Sequence, residues 1–197
     1  MRSGSSQREG RAVDPEVAGA PGAPDPVWES EGVNVPSGVP SSAALFPLPG
    51  TSGVFGVGYE GWSIEDFVAD LQAKGVSRVV DIRLTPISRK PGFSKTALSR
   101  ALAASGIAYE HRRELGNPKP NRAGFAGSPT ERAEARAIFA DLLRRSEAME
   151  ALKAVARAGR RELVALLCFE ADQGRCHRDV VLRALQEQGT RVGEVLR

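Results

Sequence analysis

The feature that most constrains the fold is an alternation of short apolar segments with longer amphipathic ones, which begins at Val54. The apolar segments are VFGVG (54–58), RVVDIR (78–83), IAYEH (107–111) and RELVALLC (161–168). Each has the length of a strand, and segments with helical periodicity separate them. Strands that alternate with helices of 10–15 residues indicate parallel βαβ units. The pattern therefore predicts an α/β fold with three layers, in which helices cover both faces of a mainly parallel sheet.

Capping residues mark the ends of the first two helical segments. Ser63 precedes the first segment and Gly75 ends it. Ser94 and Gly106 occupy the same positions around the second. Apolar residues recur at helical spacing within each segment, so each helix is predicted to turn one face toward the sheet.

The C-terminal half is expected to contain a loop, a long helical region, and then a last helix and strand. Residues 114–127 are rich in Pro, Gly, Asn and Lys, which is typical of a loop. Ser128 followed by proline begins a helical region that runs to about Ala158 in one or two pieces. A final helix is predicted over roughly 175–188, and TRVGEVL (190–196) is predicted to be a last strand.

The first 50 residues differ in composition from the rest of the chain. They hold eight of the thirteen prolines and show neither helical nor strand periodicity. A segment of this kind cannot bury enough apolar surface to offset the entropy of ordering it. We therefore expect a disordered tail over 1–50 and a single α/β domain over 53–197.

Composition narrows the class of protein. No apolar run approaches the roughly 18 residues that a transmembrane helix needs, and no apolar stretch follows the charged N-terminus as it would in a secretory signal. Two cysteines cannot make a disulfide framework, so a reducing cytoplasm is the expected compartment. The net charge of +3 suits a small anionic ligand and gives only weak support to nucleic acid binding.

Polar and reactive side chains follow four of the predicted strands. In chain order they are Tyr59; Asp81, Arg83, Ser88 and Arg89; His111; and Cys168 and Glu170. Because the carboxyl ends of parallel strands meet at one edge of a sheet, we expect these side chains to lie together. Arginine is well suited to such an edge, since its planar guanidinium binds phosphate or carboxylate through two hydrogen bonds. The edge is therefore predicted to bind an anion.

The stretch LLCFEADQGRCHRD (166–179) holds both cysteines of the chain and one of its two histidines. Cys168 is a candidate thiolate nucleophile, and its alternative role is that of a small buried apolar residue. Cys176, His177 and Arg178 stand at the expected start of the last helix, where unpaired backbone N–H groups favour anions. This loop is predicted to form one wall of the site.

A metal site and a disulfide are the less favoured interpretations of the same loop. Cys168, Cys176 and His177 are suitable zinc ligands, with Glu170 or His111 as a fourth. However, the loop has no C-x-x-C or H-x-x-x-H pairing, and an adjacent Cys and His rarely orient onto one ion. A disulfide is disfavoured in a reducing compartment. No metal is predicted.

No cofactor is predicted either, because GVGYEG (56–61) is neither a G-x-G-x-x-G nor a Walker A sequence.

Several motifs occur in the order that one known family has. They are VGYEG, DIR with PISRKPGFSK, IAYEHRRELGNPK and LCFEADQGRCHR. Over roughly 54–196 the chain closely resembles the DUF488 domain family, whose function is not established. The resemblance implies a compact single-domain α/β protein. The family pattern falls on Gly58, Tyr59, Asp81, Arg83, Pro86, Ser88, Arg89, Phe93, Leu115, Gly116, Cys168, Glu170, Cys176, His177 and Arg178.

Two classes of function are open at this point. The first is a small enzyme that acts on an anionic substrate such as a nucleotide or another phosphorylated compound. In it, the anion would be held by Arg83, Arg89 and Arg178, the nucleophile would be Cys168 or Cys176, and the acid or base would be His177 or Glu170. The second is a non-catalytic module that binds a nucleotide or nucleic acid through the same basic edge.

Overall fold

The sheet has four parallel strands. It is seen in a computed structural model that describes residues 52–193. The strands are β1 (Gly53–Gly58), β2 (Arg78–Asp81), β3 (Ala108–His111) and β4 (Leu163–Cys168). Their order across the sheet is β1-β4-β2-β3, and every neighbouring pair is parallel. The predicted parallel α/β fold is confirmed.

Six α-helices connect and flank the strands within residues 52–193. They are α1 (Ile64–Ala73), α2 (Lys95–Ala104), α3 (Lys119–Ala126), α4 (Pro129–Leu142), α5 (Ser146–Gly159) and α6 (Arg178–Glu187). None of these helices combines the length and the apolar character that crossing a bilayer requires.

Alternate residues of the central strand β4 face two separate cores, which makes the three layers. In β4, Leu163, Ala165 and Leu167 pack with buried residues of α1 and α2. Val164 and Leu166 pack on the opposite face, with buried residues of α4, α5 and α6. All six residues of β4 are buried, as the continuous apolar run of this strand predicted.

Local sequence signals account for several helix ends. The Ser63 hydroxyl accepts a hydrogen bond from the backbone N–H of Asp66 and caps α1. Gly75 follows α1 at a φ of 72°, which is strained for residues with a side chain. Ser128 forms a reciprocal capping box with Glu131 at the start of α4. The long helical region divides into two helices, α4 and α5.

The expectation of an irregular loop over 114–127 was wrong, because α3 occupies most of this stretch. Pro120 lies in the first turn of α3, where a missing N–H removes no helical hydrogen bond. The side-chain amide of Asn121 donates to the backbone carbonyl of Ala135 on α4, and Phe125 is buried in the core. Tertiary contacts therefore stabilise a helix that composition alone disfavours.

The last predicted elements are shorter than expected. Gln173–Arg175 form a 3-10 turn, and α6 begins only at Arg178. Within the described residues, the predicted strand over 190–196 is limited to a parallel bridge between Val192 and Val54. The rest of that segment and the predicted tail over 1–50 lie outside the described residues.

Candidate functional site

A cavity of about 730 Å³ opens at the carboxyl edge of the sheet. Its walls come from the segments that follow β1, β2 and β4, and from α3. The predicted site residues that line it are Tyr59, Arg83, Ser88, Arg89, Cys168, Glu170 and His177. The others, Asp81, His111, Cys176 and Arg178, lie behind its walls. The structure therefore brings together most of the side chains that the strand ends were expected to gather.

A buried ion pair forms the part of the cavity wall that follows β2. The Arg83 guanidinium contacts both carboxylate oxygens of Asp81, with Nε at 2.9 Å and Nη2 at 2.6 Å. Nη1 donates to the Tyr59 hydroxyl at 2.9 Å and to the Phe93 carbonyl at 2.8 Å. Burial opposes the charge on Arg83, but Asp81 more than offsets this, so the pKa of Arg83 is raised. Four of the five guanidinium N–H groups are thus used inside the protein.

The second wall holds a cluster of sulfur, imidazole and carboxylate groups. The Cys168 thiol lies 3.1 Å from Glu170 Oε2 and 3.8 Å from His177 Nδ1. Cys176 Sγ lies 3.8 Å from the same Nδ1. On the other side of the ring, His177 Nε2 lies 3.2 Å from the carbonyl oxygen of Ile82. Because a carbonyl only accepts hydrogen bonds, Nε2 carries a proton, and Nδ1 is the ring nitrogen that faces both sulfurs.

The protonation states within this cluster are coupled. The hydrogen bond with Cys176, together with burial, raises the pKa of the Cys168 thiol well above its ordinary value. Burial disfavours the ionised form of Glu170, yet hydrogen bonds from Cys168 and Cys176 and the charge of His177 together outweigh burial, and the pKa of Glu170 is lowered. Cys168 is therefore a thiol that donates to a carboxylate. It does not have the depressed pKa of an activated thiolate nucleophile.

Arg178 binds backbone carbonyl groups of the protein, whereas the sequence suggested that it would contact an anion. Its side chain is fully buried, and its guanidinium donates to the carbonyl of Val57 at 2.9 Å and to that of Glu170 at 3.1 and 3.2 Å. These bonds fasten the loop after β4 across the end of β1. Gly58 permits this crossing, because a Cβ there would lie 1.9 Å from the carbonyl oxygen of Glu170.

Cys176 and His111 also lie outside the cavity. Cys176 is 1% exposed, and its sulfur accepts a hydrogen bond from the backbone N–H of Arg178 at 3.4 Å. His111 Nε2 lies 2.9 Å from the carbonyl oxygen of Arg83 and so supports the backbone behind the ion pair. Of the two cysteines, a ligand in the cavity would meet only Cys168.

The sequence assigned no functional role to several residues that line the cavity, which include Asn117, Arg122, Phe169 and Asp172. Glu60 and Lys90 directly follow the predicted site residues Tyr59 and Arg89 and line the cavity with them. Arg122 could not be placed because its helix, α3, was not predicted. Arg175 was predicted to begin the last helix, but it ends a 3-10 turn that brings it to the cavity mouth, where it donates to the Ala126 carbonyl.

Fold and site together define a small parallel α/β domain with a basic cavity at the carboxyl edge of its sheet. The family described as Domain of unknown function DUF488 matches residues 63–185, and the chain belongs to this family. The match includes β2, β3 and β4 and every predicted site residue except Tyr59. Searches of curated proteins and of solved structures gave no match.

Proposed function

We propose that this protein is a small enzyme that acts on an anionic substrate, a nucleotide or another phosphorylated compound, bound in the cavity. One observation carries the proposal. Four cationic side chains line the cavity and make no ion pair within residues 52–193, and the reactive cluster lies beside them. These cations are Arg89, Lys90, Arg122 and Arg175.

The charge balance of the lining supports an anion. Its carboxylates already have partners in the protein: Glu60 accepts from the backbone N–H of Ala171, Asp172 from that of Gly174, and Glu170 from Cys168. The four cations, by contrast, form no ion pair with a carboxylate in the part of the chain that the structure describes. Unpaired cations at the mouth of a concave site attract and orient phosphate groups. The charge of Arg83 is already paired with Asp81, and so we assign Arg83 a positioning role.

The chemistry of such an enzyme would take place at the end of the cavity formed by Cys168, Glu170 and His177. Cys168 is the reachable thiol, and a reaction there requires removal of its proton. Glu170 accepts a hydrogen bond from the thiol and orients it, and the imidazole of His177, with Nδ1 at 3.8 Å from the same sulfur, is the group that takes the proton. The cluster thus supplies acid–base groups directly beside the proposed anion site.

One feature favours a second candidate function, a non-catalytic module that binds nucleotides or single-stranded nucleic acid. Phe169 is 43% exposed and Ile87 is 79% exposed, and both line the cavity beside its cations. Aromatic side chains on which bases stack, next to positive charges that follow a backbone, are the usual elements of single-strand binding.

The test removes two cavity cations and compares the result with removal of two exposed arginines elsewhere. The double variant Arg89→Ala/Lys90→Ala is matched by Arg160→Ala/Arg161→Ala, which lies at the end of α5. Binding of a nucleotide panel and inorganic phosphate is measured by calorimetry. We expect the cavity variant to lose about tenfold or more in affinity and the control to stay at the wild-type value. Equal losses in both variants would overturn the proposal.

A second arm separates an enzyme from a binding module. The same panel of phosphorylated compounds is screened for turnover with wild-type protein and with Cys168→Ser. Turnover that the serine variant loses while it keeps its affinity supports the enzyme. Absence of turnover throughout the panel, together with salt-dependent binding of oligonucleotides, would establish the binding module instead.

A further inference from the structure

Three metal-ligating atoms converge at the buried end of the cavity. The sulfurs of Cys168 and Cys176 and Nδ1 of His177 all lie within 4.8 Å of one another, and each sulfur is 3.8 Å from Nδ1. A tetrahedral zinc ion with Zn–S near 2.3 Å and Zn–N near 2.0–2.1 Å separates its sulfur and nitrogen ligands by about 3.6 Å. The three groups are therefore already spaced as ligands of one ion.

The histidine is oriented by a group behind it. The Ile82 carbonyl holds a proton on Nε2, so Nδ1 is the ring nitrogen left to face a metal ion. A backbone carbonyl or carboxylate on the distal ring nitrogen is the common support of a metal-binding histidine, because it fixes both the tautomer and the ring. This contact gives His177 the state and the direction of a ligand.

The backbone explains how adjacent residues reach one point. Cys176 is extended, with φ −125° and ψ 143°, and ends the 3-10 turn. His177 has helical angles, φ −61° and ψ −18°, and caps α6. The change of conformation between the two residues turns both side chains to the same side, which sequence spacing alone made improbable. The N–H of Arg178 donates to Cys176 Sγ, as backbone amides do toward thiolate ligands.

A fourth group lies on the cavity side of the three ligands. Cys168, Glu170 and His177 line the cavity whereas Cys176 does not, so an ion held by the cluster would face the cavity. Glu170 Oε2 is 3.1 Å from Cys168 Sγ. Thiolate, imidazole and carboxylate are the donors that zinc takes, and calcium or magnesium would require oxygen ligands.

We propose that Cys168, Cys176 and His177 bind one Zn²⁺ ion at the inner end of the cavity, and that Glu170, beside Cys168, is the protein group nearest to the fourth position. Binding releases the thiol protons, because zinc takes cysteine as thiolate. Cys168 is a metal ligand in the zinc-bound protein, so the thiol chemistry proposed for Cys168 belongs to the protein without the ion. The metal site goes beyond the anion proposal and does not depend on it, since no cavity cation takes part in holding the ion.

The test measures metal directly on the full chain, reduced, stripped with a chelator and reloaded with Zn²⁺ or Co²⁺. We expect about one metal ion per chain by mass spectrometry, and a thiolate-to-cobalt charge-transfer band in the near ultraviolet. A wild-type protein that takes up no metal, or one that binds Co²⁺ without this band, would overturn the site.

Variants identify the ligands. Cys176→Ser and His177→Asn are expected to lose the stoichiometric metal, and Glu170→Gln to keep one ion with about tenfold weaker affinity. The matched control is His111→Asn, which changes the other histidine and should keep the ion. If a ligand variant fails to fold by circular dichroism, the cobalt band of the wild type still decides the question. Phosphate binding by the stripped wild type is measured in parallel, so failure of the metal site and failure of the anion site give different results.

Discussion

The carboxylate of Asp81 and the guanidinium of Arg83, two residues apart in the chain, form a paired contact at 2.6 and 2.9 Å in a nearly solvent-free site. Asp81 is completely buried and Arg83 is 7% exposed. Two buried charges of opposite sign stabilise each other only as long as both are present. The wall of the cavity therefore depends on the integrity of this pair.

Replacement of Asp81 by asparagine should destabilise the protein strongly. The variant leaves the Arg83 charge buried without its partner, which typically costs 3–5 kcal/mol. Urea denaturation measures the change in the free energy of unfolding. The control, Asp141→Asn, removes a carboxylate from an exposed pair with Arg144 and should change it by less than about 1 kcal/mol. Similar losses of unfolding free energy in the two variants would show that the buried pair of Asp81 and Arg83 does not stabilise the protein.

Tyr109 supports the same carboxylate from β3. Its hydroxyl donates to Asp81 Oδ2 at 2.7 Å, and burial together with the Asp81 charge raises the pKa of Tyr109, so the donor stays protonated. Tyr109→Phe should cost about 1–3 kcal/mol, because a hydrogen bond to a charged group is lost. In a double-mutant cycle the penalty should shrink in the Asp81→Asn background. Additive penalties would show that the two side chains do not interact.

Gly58 should tolerate no side chain. The Cβ of Gly58→Ala would meet the backbone of Glu170 and displace the loop that carries the cluster, so we expect a loss of about 3 kcal/mol or more. At Gly174 a Cβ would come no closer than 3.2 Å, to a side-chain oxygen of Asp172. Gly174→Ala is therefore the matched control, with a change of about 1 kcal/mol or less. Thermal unfolding compares the two, and equal melting temperatures would exclude the close approach.

The capping box of α4 should change the pH at which the Glu131 carboxyl titrates. Hydrogen bonds from Ser128 to the carboxylate lower the pKa of Glu131. Because the folded pKa is lowered, the contribution of this carboxylate is present above its unfolded pKa of about 4.3 and disappears as pH falls through the folded value. An NMR titration of the Glu131 carboxyl should give a lower midpoint in the wild type than in Ser128→Ala. The same midpoint in both proteins would contradict the capping box.

The sequence pattern predicted the strands and the edge that they share. β4, for example, is buried on both faces and therefore appears in the sequence as a continuous apolar run. The pattern missed α3, whose helix depends on contacts of Asn121 and Phe125 with distant parts of the chain. For that reason Arg122 could not be assigned to the cavity. The orientation of Cys176 and His177 was equally inaccessible, since it follows from a change of backbone angles between two neighbours and from the carbonyl of Ile82, almost a hundred positions away.

The strand order has a consequence for how the protein is made. β4 lies between β1 and β2, so within the described residues β1 finds its strand partner only after the chain has reached Cys168. A nascent chain that ends before β4 has the β2–β3 pair alone, and the residues after β1 and β2 then have no shared edge on which to meet. The cavity is consequently completed late in synthesis, and a chain that ends in α5 lacks β4 and the whole wall that carries Cys168, Glu170 and His177.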